Sequence, residues 1–320
     1  VRPLPPESTD PRPGEFAAFL GDSPPYHPKN RFQVEHVDIA SWGNTQSGQA
    51  VAELVSHVIK ATVLREVRVQ RGFSRLQPVR PHDGNSPPQD VGTARDGSAD
   101  PQHSAGADDG QKNVHIFVPA GPPGLGWLPA IEVLGEGVFF TLDPRAVAKW
   151  KAGSQWVTRR IAGLKARIEE NLNAARDSKA TPEFVLLHTL SHLVCLQLAF
   201  TCGYSLASLR ERIYCGTAPD GSPMHGILIY TAAGDTEGAL GGLARQADPD
   251  RFLDTLIGAI TEARWCSSDP LCIEAGGQGR DGLNLAACHG CALLPETSCE
   301  EFNLLLDRAP VSYTHLRAHE

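Results

Sequence analysis

Cys266, Cys272, Cys288, Cys291 and Cys299 crowd one stretch of this chain, separated in turn by five, 15, two and seven residues, with His289 inside the Cys288–Cys291 pair. A C-x-x-C pair puts two thiolates at the tip of a turn within reach of one ion, and a second pair upstream completes a tetrahedral zinc site of the structural kind. Such a site fixes a lobe of chain and does no chemistry, because protein ligands fill all four positions on the ion. Four sulfurs suffice, so the spacing selects Cys266, Cys272, Cys288 and Cys291, with Cys299 as the alternate ligand. Buried, reduced thiols are the competing reading, and Cys195, Cys202 and Cys215 fit it.

Composition narrows the setting. The 320 residues suffice for two modest domains, and 41% hydrophobic content is ordinary for a chain with a buried core. No charged-then-apolar leader follows Val1, so the eight cysteines point to a reducing, cytoplasmic compartment and not to a disulfide framework. A start at Val1 and a single Met suggest a piece of a longer protein. The net charge of -8 excludes a globally basic nucleic-acid binder but leaves room for local patches. The most apolar run, Phe184 to Phe200, is interrupted by His188, Ser191, His192 and Gln197, which makes it a buried helix and no membrane span.

Residues 1–35 are rich in proline and polar side chains and predict an extended arm or linker. In 36–81, apolar residues at helical spacing predict a helix over 47–64, followed by a strand through Val67 and Val69, as the end of an upstream domain. Residues 82–113, almost without apolar side chains, predict a disordered insertion. Within 114–180, strands are expected at 114–118 and around turn signals at Gly135 and Gly137. Asp143 and Pro144 then cap a basic helical region that reaches Arg176 with a break near Gly153. Segment 181–309 should run as a buried helix to Phe200, a short helix over 205–212 and a strand over 227–230. A glycine-rich turn over 235–243, a helix from Asp248 to Trp265, the cysteines and a final helix over 298–308 follow. This alternation predicts an α/β (or α+β) fold, a mixed sheet flanked by helices with a cysteine-rich structural zinc lobe at the C-terminus. Residues 310–320 resemble a translated adapter tail and are assigned no role.

Other constellations are weaker. His188 and His192 have the spacing of zinc proteases, but Thr189 stands where those enzymes carry the Glu that activates water, so satisfied core histidines are the default. The loop from Gly234 to Gly242 lacks the Lys-Ser/Thr pair of a P-loop, and its Asp235 and Glu237 would repel phosphate. An enzymatic alternative is a metal-dependent nuclease or phosphohydrolase built on His188, His192, Asp235 and Glu237. Between Pro144 and Ala180 nine basic residues face three acidic ones. Trp156, Arg159, Arg160, Lys165 and Arg167 suit phosphate contact beside a stacking ring, and Arg65, Arg68, Arg71 and Arg75 form a similar patch. A solvated helix face or a salt-bridged interface is the plainer explanation of both. No Walker or Rossmann signature is present.

Four blocks in order carry a resemblance: HTLSHLVCLQLAFTCGYSLASLRERIY, LIYTAAGDTEGALGGLARQ, ARWCSSDPLC and LNLAACHGCALLPETSCEEFN, with LREVRVQRGFSRL upstream. Together they resemble the C-terminal part of the DrmB family of DISARM anti-phage defence systems. A similar domain follows the motor lobes of some superfamily 2 DNA helicases, including mitomycin-repair helicases. The resemblance implies structural zinc on Cys266, Cys272, Cys288 and Cys291, with Cys299 leaving the choice open. It also implies a DrmA-like superfamily 2 helicase partner, DNA binding and a non-catalytic accessory role in defence, with a pure interaction scaffold as a second alternative.

Overall fold

A computed structural model describes residues 10–21, 31–69, 130–170, 179–231 and 242–312. Contacts group 1–66 with 133–320 as one unit and 67–132 as another, of which only 67–69 and 130–132 are described.

The larger unit is organised by a five-stranded sheet of order β1-β2-β3-β5-β4, with β1 Gln33–His36, β2 Val55–Val69, β3 Ala130–Leu142, β4 Leu209–Thr217 and β5 Pro223–Thr231. The alternation of β3 divides the core in two. Val138, Phe140 and Leu142 face the main cluster, while Phe139 between them faces the other side. On the main side lie α3 Pro144–Gly153, α4 Gln155–Glu170, α5 Pro182–Cys202 and α6 Pro249–Glu262. α5 is apolar on nearly every face, and it buries 13 of its 21 residues. Length and composition would let α5 cross a membrane, but here it is the central core helix. Thr181 caps its N-terminus by accepting from the Phe184 amide, and Gly203, at φ +71°, ends it in the left-handed conformation that glycine adopts without a Cβ clash.

The second face is covered by α1 Arg12–Leu20. Phe19 stacks on Phe139 with ring centres 4.4 Å apart, and Phe16 packs on both Phe139 and Tyr214. The expected extended arm is therefore helical over α1, because Pro11 and Pro13 fall at its cap and first turn, where proline is tolerated, and two phenylalanines one turn apart can bury against the sheet.

Several expectations of local structure are corrected. The helix expected over 47–64 ends early as α2 Gln46–Leu54, and the β-branched Val55, Val58, Ile59, Thr62 and Val63 continue as β2. Gly135 and Gly137 make no turn, since both lie inside β3. A Cβ on Gly137 would sit 2.6 Å from the Ile229 carbonyl, so the glycine permits close strand approach. The short helix over 205–212 is a 3-10 turn followed by β4, whose Leu209, Glu211 and Ile213 share one face. The strand pairs β1–β2, β3–β5 and β4–β5 all run antiparallel, so the sheet that helices flank is antiparallel where a mixed one was expected.

No helix spans 298–308. A 3-10 turn at Glu296–Ser298 leads into a chain with Phe302, Asn303 and Leu305 at positive φ, and α7 Arg308–Ser312 follows. Asn303 holds this irregular path by accepting from the Leu294 amide at 2.9 Å and donating to the Leu294 carbonyl at 2.6 Å. Pro310 and Val311, placed by sequence in the adapter-like tail, are buried, and 313–320 lie outside the described residues. The break at Gly153 and the cap by Asp143, which accepts from the Arg145 and Ala146 amides, stand as expected. The strand at 114–118 and the insertion at 82–113 fall outside the described residues.

Candidate metal centre

The lobe after α6 brings four of the five cysteines together. Sγ of Cys266 lies 3.4 Å from that of Cys288, Cys272 lies 3.8 Å from Cys291, and Cys288 lies 3.7 Å from Cys291. All four sulfurs fall within 4.8 Å of one another. A tetrahedron with metal–sulfur bonds of about 2.3 Å has edges of roughly 3.8 Å, so the spacing fits zinc. Local structure supports the thiolate form. Amides of Ser268 and Cys288 point at Cys266 and Cys291 at 3.4 and 3.3 Å, and Gln278 Nε2 reaches Cys272 at 3.5 Å. Burial, followed by the neighbouring Cys272 and Cys288 sulfurs, pushes the Cys291 thiol up, so the crowded set needs a cation to ionise fully.

Charge and turn geometry are supplied from nearby. Asp269 accepts from the amides of Cys266 at 2.7 Å and Ile273 at 3.0 Å, fastening the turn between the first two ligands. Arg308, fully buried, donates to Asp269 and, at 2.9 Å, to the Ala263 carbonyl, placing a cation beside the sulfurs. A four-thiolate zinc site carries net negative charge, which this guanidinium offsets. Sequence reasoning singled out neither Asp269 nor Arg308. Their signal is only a lone acid between two cysteines and a lone arginine at the start of an apolar run.

Cys299 is elsewhere. Its sulfur lies 3.1 Å from His188 Nε2, in a second group with His192 and Glu211 whose donor atoms also fall within 4.8 Å of one another, and all four residues are buried. Glu211 Oε1 lies 3.0 Å from His188 Nε2 and 3.3 Å from His192 Nε2. Burial alone would depress both imidazoles, but the Glu211 carboxylate raises them, His192 to about 9, while burial is likewise overridden to hold Glu211 well below the usual carboxylate range. The expected satisfied core histidines thus have an acidic and a sulfur partner. Glu211 was missed because its strand was read as a helix. Asp235 and Glu237 of the enzymatic alternative lie outside the described residues.

Thr189, in place of a catalytic Glu, has a structural duty: its hydroxyl accepts from the Asp307 amide at 3.0 Å. Asp307, fully buried, takes the Arg160 guanidinium at 2.8 and 3.2 Å and the Ala286 amide at 3.2 Å. Arg167 donates to the Gly276 carbonyl, so two of the three arginines of α4, Arg160 and Arg167, reach into the cysteine lobe. Trp156 packs against the main core, Arg159 is exposed and Lys165 is half-buried. In β2, Arg65 is exposed and Arg68 half-buried, whereas Arg71 and Arg75 lie outside the described residues.

With this geometry in place, comparison with known proteins is direct. The MrfA Zn-binding domain matches residues 190–292, a span that holds all four clustered cysteines and stops short of Cys299. The chain is also 34% identical over 258 residues, 79% of its length, to the DISARM protein DrmB of Bacillus paralicheniformis. The chain is DrmB-like. It spans 40% of the length of that DrmB, and the zinc-binding lobe lies in the part that both the resemblance and the geometry single out.

Proposed function

We propose that this chain is a non-catalytic accessory component of anti-phage defence, acting in the cytoplasm beside a DrmA-like superfamily 2 helicase and touching DNA through its basic surfaces. The observation that carries this reading is the 34% identity to DrmB over 79% of the chain. Structural zinc on the four cysteines holds the lobe in shape, and the surfaces around it do the recognition. Burial of His188 and His192 beside Glu211 argues against a hydrolytic site, since neither water nor a phosphodiester reaches a fully enclosed donor set.

The DNA reading rests on Arg159, which is exposed, and Lys165, which is half-buried, because Arg160 and Arg167 are engaged within the lobe. That engagement favours a second reading, a protein-interaction scaffold without DNA contact. Reversing Arg159 and Lys165 to Glu separates the two. Salt-dependent DNA binding that the double reversal abolishes supports contact with the phosphate backbone; binding indifferent to both salt and reversal removes it. Co-purification with a co-expressed helicase tests the partnership on its own, and a chain that never associates with one would overturn it.

A further inference from the structure

His188 and His192 lie one turn apart on α5, Glu211 projects from β4, and Cys299 leaves the cysteine lobe, so three separately placed segments send four donors to one point. We propose that this group is a second metal site, holding a divalent ion of the zinc class through His188 Nε2, His192 Nε2, Glu211 Oε1 and Cys299 Sγ. Donors of this type on a tetrahedral ion at about 2.0–2.3 Å stand roughly 3.3–3.8 Å apart. The observed 3.3 Å from His192 Nε2 to Glu211 falls in that range, and the 3.0 Å and 3.1 Å from His188 Nε2 to Glu211 and Cys299 are a few tenths tighter, a difference that small rotamer adjustments absorb.

Three features beyond proximity point to an ion. His192 Nδ1 lies 2.7 Å from the Ala292 carbonyl, which fixes one proton there and turns Nε2 toward the group, so that Nε2 is the atom that gives up its proton to an ion, as in a ligating imidazole with an outer hydrogen bond. Ser191 donates to Glu211 Oε2, while Oε1, which also accepts from the Glu300 amide at 3.3 Å, faces both imidazoles and is the oxygen placed to ligate. Amides of Glu301 and Asn303 point at Cys299 Sγ at 3.4 and 3.2 Å, the arrangement seen around Cys266 and Cys291. One thiolate, one carboxylate and two neutral imidazoles carry two negative charges, which a divalent ion cancels in a place water does not reach. With four protein donors, all buried, the ion is structural: it ties α5 and β4 to the exit of the cysteine lobe. Mixed nitrogen, sulfur and oxygen donors favour zinc or cobalt over calcium or magnesium.

The site is tested on the full chain, purified reduced in the presence of zinc, by elemental analysis and cobalt titration. Two ions per chain are expected, falling to one in Cys299→Ala and to one in Cys288→Ser, the latter reporting the four-cysteine site independently. Cobalt should bind in two equivalents with distinct visible spectra, the second having fewer sulfur charge-transfer bands. One ion per wild-type chain with cobalt saturating at one equivalent overturns the proposal, and this reading needs no variant to fold.

Discussion

The helix-and-sheet body buries Trp42, Phe140, Phe252 and most of α5 in one continuous cluster, whereas the cysteine lobe lends Leu283, Leu285, Leu294, Leu304 and Leu305 to that cluster and keeps only Ala287, Ala292 and Leu306 in one of its own. The body is built from long regular elements. The lobe is a succession of turns, with Asp281, Phe302, Asn303 and Leu305 at positive φ. Chain that cannot bury enough apolar surface to offset its ordering entropy needs another source of free energy, and four sulfurs around one ion supply it. Apolar packing thus stabilises the body, while the lobe adds coordination to the leucines it buries in the body's core, and Arg160–Asp307 ties the two further through α4.

That contrast can be broken at either end. The largest effect is expected from Cys288→Ser, since structural zinc contributes on the order of 10 kcal/mol of binding free energy. The variant should lose one metal ion and become sensitive to protease between 266 and 306, while the far-UV helix signal of the body persists; loss of both together would show that the body depends on the lobe. Phe140→Ala should lower unfolding free energy by about 3–5 kcal/mol in urea titration while leaving metal content unchanged. Asp307→Ala removes a fully buried carboxylate that serves both regions, and about 2–3 kcal/mol is expected, with weaker metal retention as the sign that the regions are coupled. Thr181→Ala removes only the cap of α5, and a loss of about 1 kcal/mol in thermal melts, with the metal untouched, is the smallest expected change.

The sequence made the four-cysteine site legible because its ligands come in two close groups and their spacing is set by local turns. α5 and the Asp143 cap were legible for the same reason: their signals lie within a few residues. The second donor group was half legible. His188 and His192 announce themselves by helical spacing, but Glu211 and Cys299 reach them only through the pairing of β4 with β5 and the irregular path beyond Cys291, which no local pattern encodes. The basic residues of α4 were found by charge, yet charge does not tell which arginines turn inward. Arg160 and Arg167 do so because Asp307 and the Gly276 carbonyl lie 147 and 109 positions further along the chain. Strand β2 was misread in part because Val51, Leu54, Val55 and Val58 satisfy a helical period before the β-branched run asserts itself.

In β4, two neighbours carry opposite obligations. Glu211 is sealed with the two histidines on one face, and Arg212, on the other, donates to Glu15 at 3.0 Å through Nη2 and to Glu300 at 3.1 Å. A slip of one residue against β5 would drive the guanidinium into the histidine pocket and expose the carboxylate among the acids it now avoids. The strand therefore proofreads its own alignment: a misregistered hairpin would bury an unmatched charge, so the two opposed neighbours select the observed register by themselves.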